Sequence, residues 1–245
     1  GGAVAGSALG LSPAWRACRG AAFPPFSHSW SLPGASFSLG LDPLSGFFLL
    51  PVLVVCGLAA VYGLEYMRND PGRGAAWWWF DLLAASMVLV VTARNGMLFL
   101  IAWETMTLAS FFLVVHDGSE EATAAGRTYL IVAHAGTACL LALFALLGRG
   151  GGSLDFDRLA GAGMPAAALA ALALVGFGVK AGFMPLHIWL PEAHPAAPSH
   201  VSAVMSGVMI KMGIYGLLRA SLLAGALPGW FGPALIVVGA SSGIL

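Results

Sequence analysis

Long apolar runs, broken at short polar intervals, organise this chain. A helix that crosses a bilayer needs about 20 largely apolar residues. By that measure the runs at 43–65, 75–93, 97–115, 128–148, 166–190 and 200–222 each read as one span, with a further span beginning near 230. The pattern predicts an all-α, polytopic transmembrane bundle. Connections are short: Arg94, Asn95 and Gly96 make the tightest turn, and GRGGGSLDFDRLAG at 148–161 reads as a flexible loop. Residues 1–40 stand apart as a helix stub, rich in Ala and Gly, followed by a loop rich in Pro, Ser and Gly; residues 41–245 make up the transmembrane domain. Both ends, GGAVAGSALG and ALIVVGASSGIL, read as cut from a longer chain.

Composition sharpens the picture. Hydrophobic residues make up 59% and charged residues 9%, with a mean hydropathy of +0.87, which excludes an ordinary soluble domain. The formal net charge is zero and no Lys/Arg cluster forms a basic footprint, so the lipid bilayer is an expected partner and nucleic acid is not. Arg68, Arg73 and Arg127 fall on one side of the bundle and Arg94, Arg149, Arg158 and Arg219 on the other, too even a division to set orientation. Cys18, Cys56 and Cys139 are far apart and read as packing thiols rather than as a disulfide or metal framework.

The candidate chemistry lies in the residues that are costly where they stand. A charge near the bilayer centre costs about 2.5 to 3.5 kcal/mol even on the milder scales, yet Glu104 sits in LFLIAWETMTLASFFLVV, Lys180 in ALALVGFGVKAGFM and Lys211 in VMSGVMIKMGIYGLL. Structural pairing between helices is one reading. The other is proton exchange, because burial brings both lysine and glutamate toward neutrality, where a transfer group must work.

Around Lys180 the sequence GFGVKAGFMPLHIWLPEAHPAAPSH implies a broken helix. Pro185 supplies no N–H, and Gly178 and Gly182 loosen the turns on either side of the lysine. Discontinuous membrane helices are tolerated where they line a cavity or lie within protein, and they mark ion sites. His187 shares the Lys180 face if the helical phase survives. A new helix then starts at Ser199, read as N-cap, and His200, Val204, Gly207, Lys211 and Tyr215 form one stripe along it, with His200 as an auxiliary relay. His134, within TYLIVAHAGTACLL, reads as a packed polar group with a minor share in such a relay, and Asp42 and Asp81 as solvated anchors near span ends.

Soluble-enzyme motifs do not fit. GFGVKAG lacks the glycine spacing of a dinucleotide loop, and His187, His194 and His200 are not at chelating spacings, so neither a cofactor nor a metal site is expected.

The run VGFGVKAGFMPLHIWLPEAHPAAPSHVSAVMSGVMIKMGIYGLLR resembles the signature of the antiporter-like membrane subunits shared by respiratory complex I, Mrp cation/proton antiporters and membrane-bound nickel–iron hydrogenases. Within that family PEAHPAAPSHVSAVMSGVMIK is most similar to the hydrogenase-4 and formate hydrogenlyase large membrane subunit, and LIAWETMTL and LGLDPLSGFFLL look like its glutamate helix and an early span. The resemblance covers about residues 37–245. It implies a fold of about fourteen helices with two inverted repeats, of which this chain carries the first and the start of the second. It also implies roles: Lys180 as the central proton carrier, Glu104 as its modulator and Lys211 as the next station. The implied function is proton translocation by a non-redox subunit of a hydrogenase-like or complex I-like assembly in the bacterial cytoplasmic membrane, with other membrane subunits as partners and without a cofactor. The alternative is a subunit of an Mrp-type Na+/proton antiporter.

Overall fold

The computed structural model describes residues 2–32, 34–149, 152–159 and 165–244. Helix α1 (Gly2–Cys18) leads into a hairpin of β1 (Phe26–Ser29) and β2 (Ser36–Leu39). Next come α2 (Pro43–Tyr66), α3 (Arg73–Thr92), α4 (Gly96–Val114) and α5 (Glu120–Gly148). The remainder comprises α6 (Ala166–Ala181), α7 (Leu190–Ala196), α8 (Ser199–Val204), a π turn (Met205–Met209), α9 (Ile210–Ala224) and α10 (Phe231–Ile244). Helices α2 to α5 and the continuous run Ser199–Ala224 are long and apolar enough to cross a membrane. In α2 and α4 apolar residues occur on every face, as in helices enclosed by other helices or lipid.

The span starts are set by local capping. Asp42 Oδ1 accepts the Ser45 N–H at 2.8 Å ahead of Pro43, Asn95 Oδ1 accepts the Met97 N–H at 2.9 Å, and Ser119 Oγ accepts the Ala122 N–H at 3.1 Å. Each satisfies a donor that the first helical turn would leave without a partner.

Three features differ from the sequence reading. The segment taken as loop before residue 41 contains the hairpin, paired from Phe26 with Leu39 to Ser29 with Ser36. It is secured to the α3–α4 turn by the Arg94 N–H donating to Ser38 O at 2.8 Å, and to the segment before Phe156 by Ser36 Oγ donating to Asp155. Asn95 Nδ2 also donates to Asp155 Oδ1 at 2.8 Å, so hairpin, turn and loop form one knot at this end of the bundle. The predicted loop at 148–161 falls partly on residues 150, 151, 160 and 161, which lie outside the described residues.

Second, the end of α6, within the run at 166–190, is made by glycine rather than proline. Gly182 adopts φ +72°, the Phe183 N–H reaches back to Gly178 O at 3.0 Å, and the Gly182 N–H reaches Val179 O at 3.3 Å. These are the two bonds of a Schellman cap. Pro185 lies beyond it.

Third, Pro198 rather than Ser199 occupies the cap of α8, with no side-chain capping bond. The π turn then adds one residue to a helical turn, which rotates the remainder of the run, α9, by about 100°. The expected stripe is split: His200, Val204 and Tyr215 are buried while Lys211 is exposed.

Helix α6 packs against α5 and α9. The approach to α9 is close enough that a Cβ at Gly213 would stand 2.5 Å from Ala181 N, and one at Gly216 2.2 Å from the Phe177 ring. This contact holds the last turn of α6, and Lys180 with it, inside the bundle.

Candidate functional site

Lys180 is 1% exposed, among the most buried side chains in the protein. It occupies the last turn of α6, where the carbonyl end of the helix dipole favours a cation. Its Nζ donates to Thr107 Oγ1 of α4 at 3.0 Å and to Tyr129 OH of α5 at 2.8 Å, and lies 4.9 Å and 5.8 Å from the Tyr129 and Trp103 ring centres. Trp189, from beyond the helix end, donates its Nε1–H to Val179 O at 2.9 Å and packs on the Tyr129 ring. The broken segment thus folds back to close the pocket.

The direction of these hydrogen bonds is dictated by what each atom can do. Thr107 Oγ1 donates its proton to Trp103 O at 3.1 Å, so toward Lys180 it accepts. Ser110 Oγ donates to the Met106 and Thr107 carbonyls at 2.8 and 3.0 Å, so across its 2.6 Å contact Tyr129 OH donates to Ser110, and Tyr129 accepts from Lys180. Both chains run outward from the nitrogen and end on carbonyls. A neutral amine has two N–H groups and an ammonium three, so the pocket satisfies lysine in either protonation state; the third position alone gains or loses a proton. Among the described residues no carboxylate lies within 4.0 Å of Lys180.

Glu104 is therefore not in direct contact with Lys180. It faces His134 of α5, with Oε2 3.3 Å from Nε2. His134 is exposed on the bundle's lateral face rather than packed in the core. Lys211 points outward and donates to Ser206 O at 2.5 Å.

His200 is 2% exposed, boxed by the rings of Tyr66, Trp77 and Phe80 with centroids 5.4 to 5.8 Å away, and its Nδ1 has no hydrogen-bond partner. His187, among the turns after α6, is half-buried with Nδ1 likewise unpartnered. His194 meets Ser202 Oγ at 3.2 Å. The structure thus brings Lys180, Thr107, Tyr129 and Ser110 into one pocket, pairs Glu104 with His134, and keeps Lys211 and His200 apart. Among the described residues no three His, Cys, Asp or Glu side chains converge as metal ligands would.

Thr107, Ser110 and Tyr129 were missed by sequence reasoning. The available signal was two hydroxyls three residues apart on one face of an otherwise apolar helix. Asp42 was also misread. It is no solvated anchor but accepts from Arg219 Nη1 and Nη2 at 2.5 and 2.9 Å and from Arg94 Nη1 at 2.8 Å. Burial alone would raise its pKa; the Arg219 hydrogen bonds and charge prevail and hold its carboxyl well below the usual carboxylate range.

Comparison with known proteins agrees with this architecture. Residues 93–245 match the family model described as NADH:quinone oxidoreductase/Mrp antiporter, TM, and residues 31–75 match that of NADH-Ubiquinone oxidoreductase (complex I), chain 5 N-terminus. Hydrogenase-4 component B of Escherichia coli (strain K12) is 41% identical over 230 residues, which cover 91% of this chain and 33% of that protein. Formate hydrogenlyase subunit 3 of the same strain is 33% identical over 216 residues, covering 86% and 34%. The chain thus spans about a third of the length of these relatives. Among solved structures, the Mrp complex from Dietzia sp. DQ12-45-1b superposes with a TM-score of 0.84 at 30% identity, covering 97% of this chain and 27% of that one. With the family model matched over more than half its length, and a multi-pass membrane fold to go with it, the chain belongs to the NADH:quinone oxidoreductase/Mrp antiporter transmembrane family.

Proposed function

We propose that this chain is part of a proton-translocating, non-redox membrane subunit of a multi-subunit oxidoreductase of the hydrogenase or complex I type, in a bacterial cytoplasmic membrane. In this reading residues 41–245 are the translocating unit and residues 1–40 a brace beside it. The observation that carries it is the Lys180 pocket. A fully buried lysine held by two hydroxyl acceptors, with no carboxylate among the described residues within 4.0 Å to fix it as an ammonium, can gain and lose one proton without breaking either hydrogen bond. At an effective dielectric of about 20, a charge arriving roughly 8 Å away changes the energy of the ammonium by about 2 kcal/mol. That is comparable with the roughly 2.3 kcal/mol of moving one charge through 100 mV. A neighbour's protonation can therefore load or unload Lys180 against a membrane potential. Lys211, His200 and His187 are candidates for further stations, with Pro185, Gly178 and Gly182 shaping the helix end between them. The similarity to hydrogenase-4 component B and formate hydrogenlyase subunit 3 supports the oxidoreductase assignment and membrane subunits of such an assembly as partners.

The likeness to the Mrp complex favours a second reading, a subunit of a cation/proton antiporter. The test is proton uptake by proteoliposomes holding the intact parent complex, wild type against Lys180→Met, with electron transfer monitored in parallel. Loss of proton uptake in an assembled complex supports the pocket as the carrier site. Undiminished uptake per electron rejects it. Proton movement that depends on Na+ and on no redox couple selects the antiporter.

A further inference from the structure

Helix α1 ends in a glycine cap of its own. Gly20 adopts φ +86°, its N–H donates to Ala17 O at 2.9 Å, and the Ala21 N–H reaches back to Arg16 O at 2.9 Å. The chain then doubles back far enough for Phe23 to meet Arg16, whose guanidinium carbon is 5.5 Å from the ring centre. Trp15, Arg16, Arg19, Gly20 and Ala21 line an open concavity of about 420 Å³ at this turn.

The two arginines are exposed like charges three residues apart, a spacing at which they repel. Residues 1–41 contain no Asp or Glu to offset them. Among the described residues neither guanidinium lies within 4.0 Å of a carboxylate, whereas Arg94 and Arg219 share Asp42 at the start of α2. A guanidinium has five N–H donors and no acceptor, in a fork that matches two oxygens of a phosphate. One anion between two forks cancels the repulsion and occupies donors of both.

Depth indicates which anion. The end of α1 lies against the first turn of α2: a Cβ at Gly46 would stand 2.5 Å from Cys18 N and 2.7 Å from Ala14 O. Because α2 is long and apolar enough to cross a membrane and begins at Pro43, Arg16 and Arg19 stand level with the start of the hydrocarbon, beside the headgroups. Trp15 and Phe26 are exposed at the same end, as aromatic side chains are at a membrane–water boundary. A zwitterionic headgroup would bring its own ammonium toward two cations, so the arrangement favours a headgroup of net negative charge.

We propose that Arg16 and Arg19 bind the phosphodiester of an anionic phospholipid, each fork donating to its oxygens, with Trp15 beside the lipid at the boundary of the hydrocarbon. The site fastens the end of α1, and the turn that leads to the hairpin, to one class of lipid. It is independent of the proton-translocation reading and requires only that the chain lie in a membrane.

The test uses the intact parent complex in phosphatidylcholine nanodiscs that contain a photoactivatable phosphatidylglycerol, with labelled peptides mapped by mass spectrometry. Wild type should be labelled within residues 15–23 about tenfold or more above the double variant Arg16→Gln/Arg19→Gln. Arg16→Lys/Arg19→Lys, which keeps the charges and loses the forks, should fall between. Labelling elsewhere on the subunit should be the same in all three. If the glutamine variant does not assemble, wild type alone decides: a photoactivatable phosphatidylcholine should label residues 15–23 far less than the phosphatidylglycerol does. Equal labelling by the two lipids, or labelling undiminished in the glutamine variant, means contact with bulk lipid and overturns the proposal. Labelling abolished by inorganic phosphate identifies a site for the free anion, and a cross-link from this segment to an acidic stretch of another subunit in place of lipid identifies a protein partner; either result overturns it as well.

Discussion

Arg219 and Asp42, 177 positions apart in sequence, meet in a two-point contact in which each guanidinium Nη donates to one carboxylate oxygen. Arg219 also donates to Tyr215 OH at 3.0 Å and Ser45 Oγ at 3.0 Å, and Tyr215 OH donates to Val91 O at 2.9 Å. Arg219 and Tyr215 together therefore join the last described long span to α2 and α3. Removing Asp42 would leave Arg219, whose side chain is 7% exposed, without its counter-charge. Asp42→Asn should destabilise the subunit by about 3 kcal/mol, the usual range for breaking a buried pair from one side. Thermal unfolding of the detergent-solubilised complex would show it as an earlier transition, and Arg219→Lys, which keeps the charge and loses the fork, should fall between.

Acid should act on the same end of the bundle. Burial raises the Asp42 and Asp155 carboxyls; Arg219 outweighs it at Asp42, and Ser36, Asn95 and Ser153 do so at Asp155, leaving both below the ordinary value of 3.8. A depressed folded value means that the stabilisation is complete above the unfolded value and is lost as pH falls through the folded one. Tryptophan fluorescence should hold steady from neutral pH down to about the ordinary carboxylate range and change below it. Asp155→Asn should lower stability at pH 7 and flatten the acid limb; an unaltered acid limb would count against the knot of hairpin, turn and loop.

Tyr129→Phe keeps the ring against Trp189 and deletes the acceptor for Lys180. A lost hydrogen bond to a buried polar group costs about 1 to 3 kcal/mol, so proton translocation should slow about tenfold or more while electron transfer by the assembled complex continues. Thr107→Val should act in the same direction. Ser110→Ala should be milder, since it touches Lys180 only through Tyr129.

Gly213→Ala and Gly216→Ala test how α6 is held. Their Cβ atoms would meet α6 backbone and the Phe177 ring well inside contact distance, so each should cost about 1 to 3 kcal/mol by overpacking. The readout is the amount of subunit recovered in assembled complex at two temperatures. Gly74→Ala, where a Cβ meets nothing within 4 Å, serves as the control.

The helices were legible because apolar runs of span length leave few alternatives, and α2, expected at 43–65, runs Pro43–Tyr66. Lys180 was legible for a related reason: a lysine in such a run must be satisfied by something. What satisfied it was hidden, since Thr107 and Tyr129 lie 73 and 51 positions away and a hydroxyl in a membrane helix is common. The resemblance implied Glu104 as a modulator of Lys180, and that the Glu104 side chain meets His134 was not legible in sequence. The single stripe on the run after Ser199 assumed an unbroken helical period, and the π turn, whose residues MSGVM carry no breaker stronger than one glycine, rotated Lys211 away from it. The hairpin was lost because its strands are four residues each: SFSL alternates over too few positions to stand out, and FSHS has a single apolar residue.

The polarity of the Lys180 pocket bears on how direction could arise. Two corners of the nitrogen tetrahedron that hydrogen bonds define are permanently occupied by Thr107 and Tyr129, and a third is the bond to carbon. Under the proposed function, loading and unloading would use the same single remaining corner. A group with one doorway cannot distinguish entry from exit, so under the proposed function any vectorial behaviour would come from what is brought to that doorway and when, with Lys180 as a reversible store.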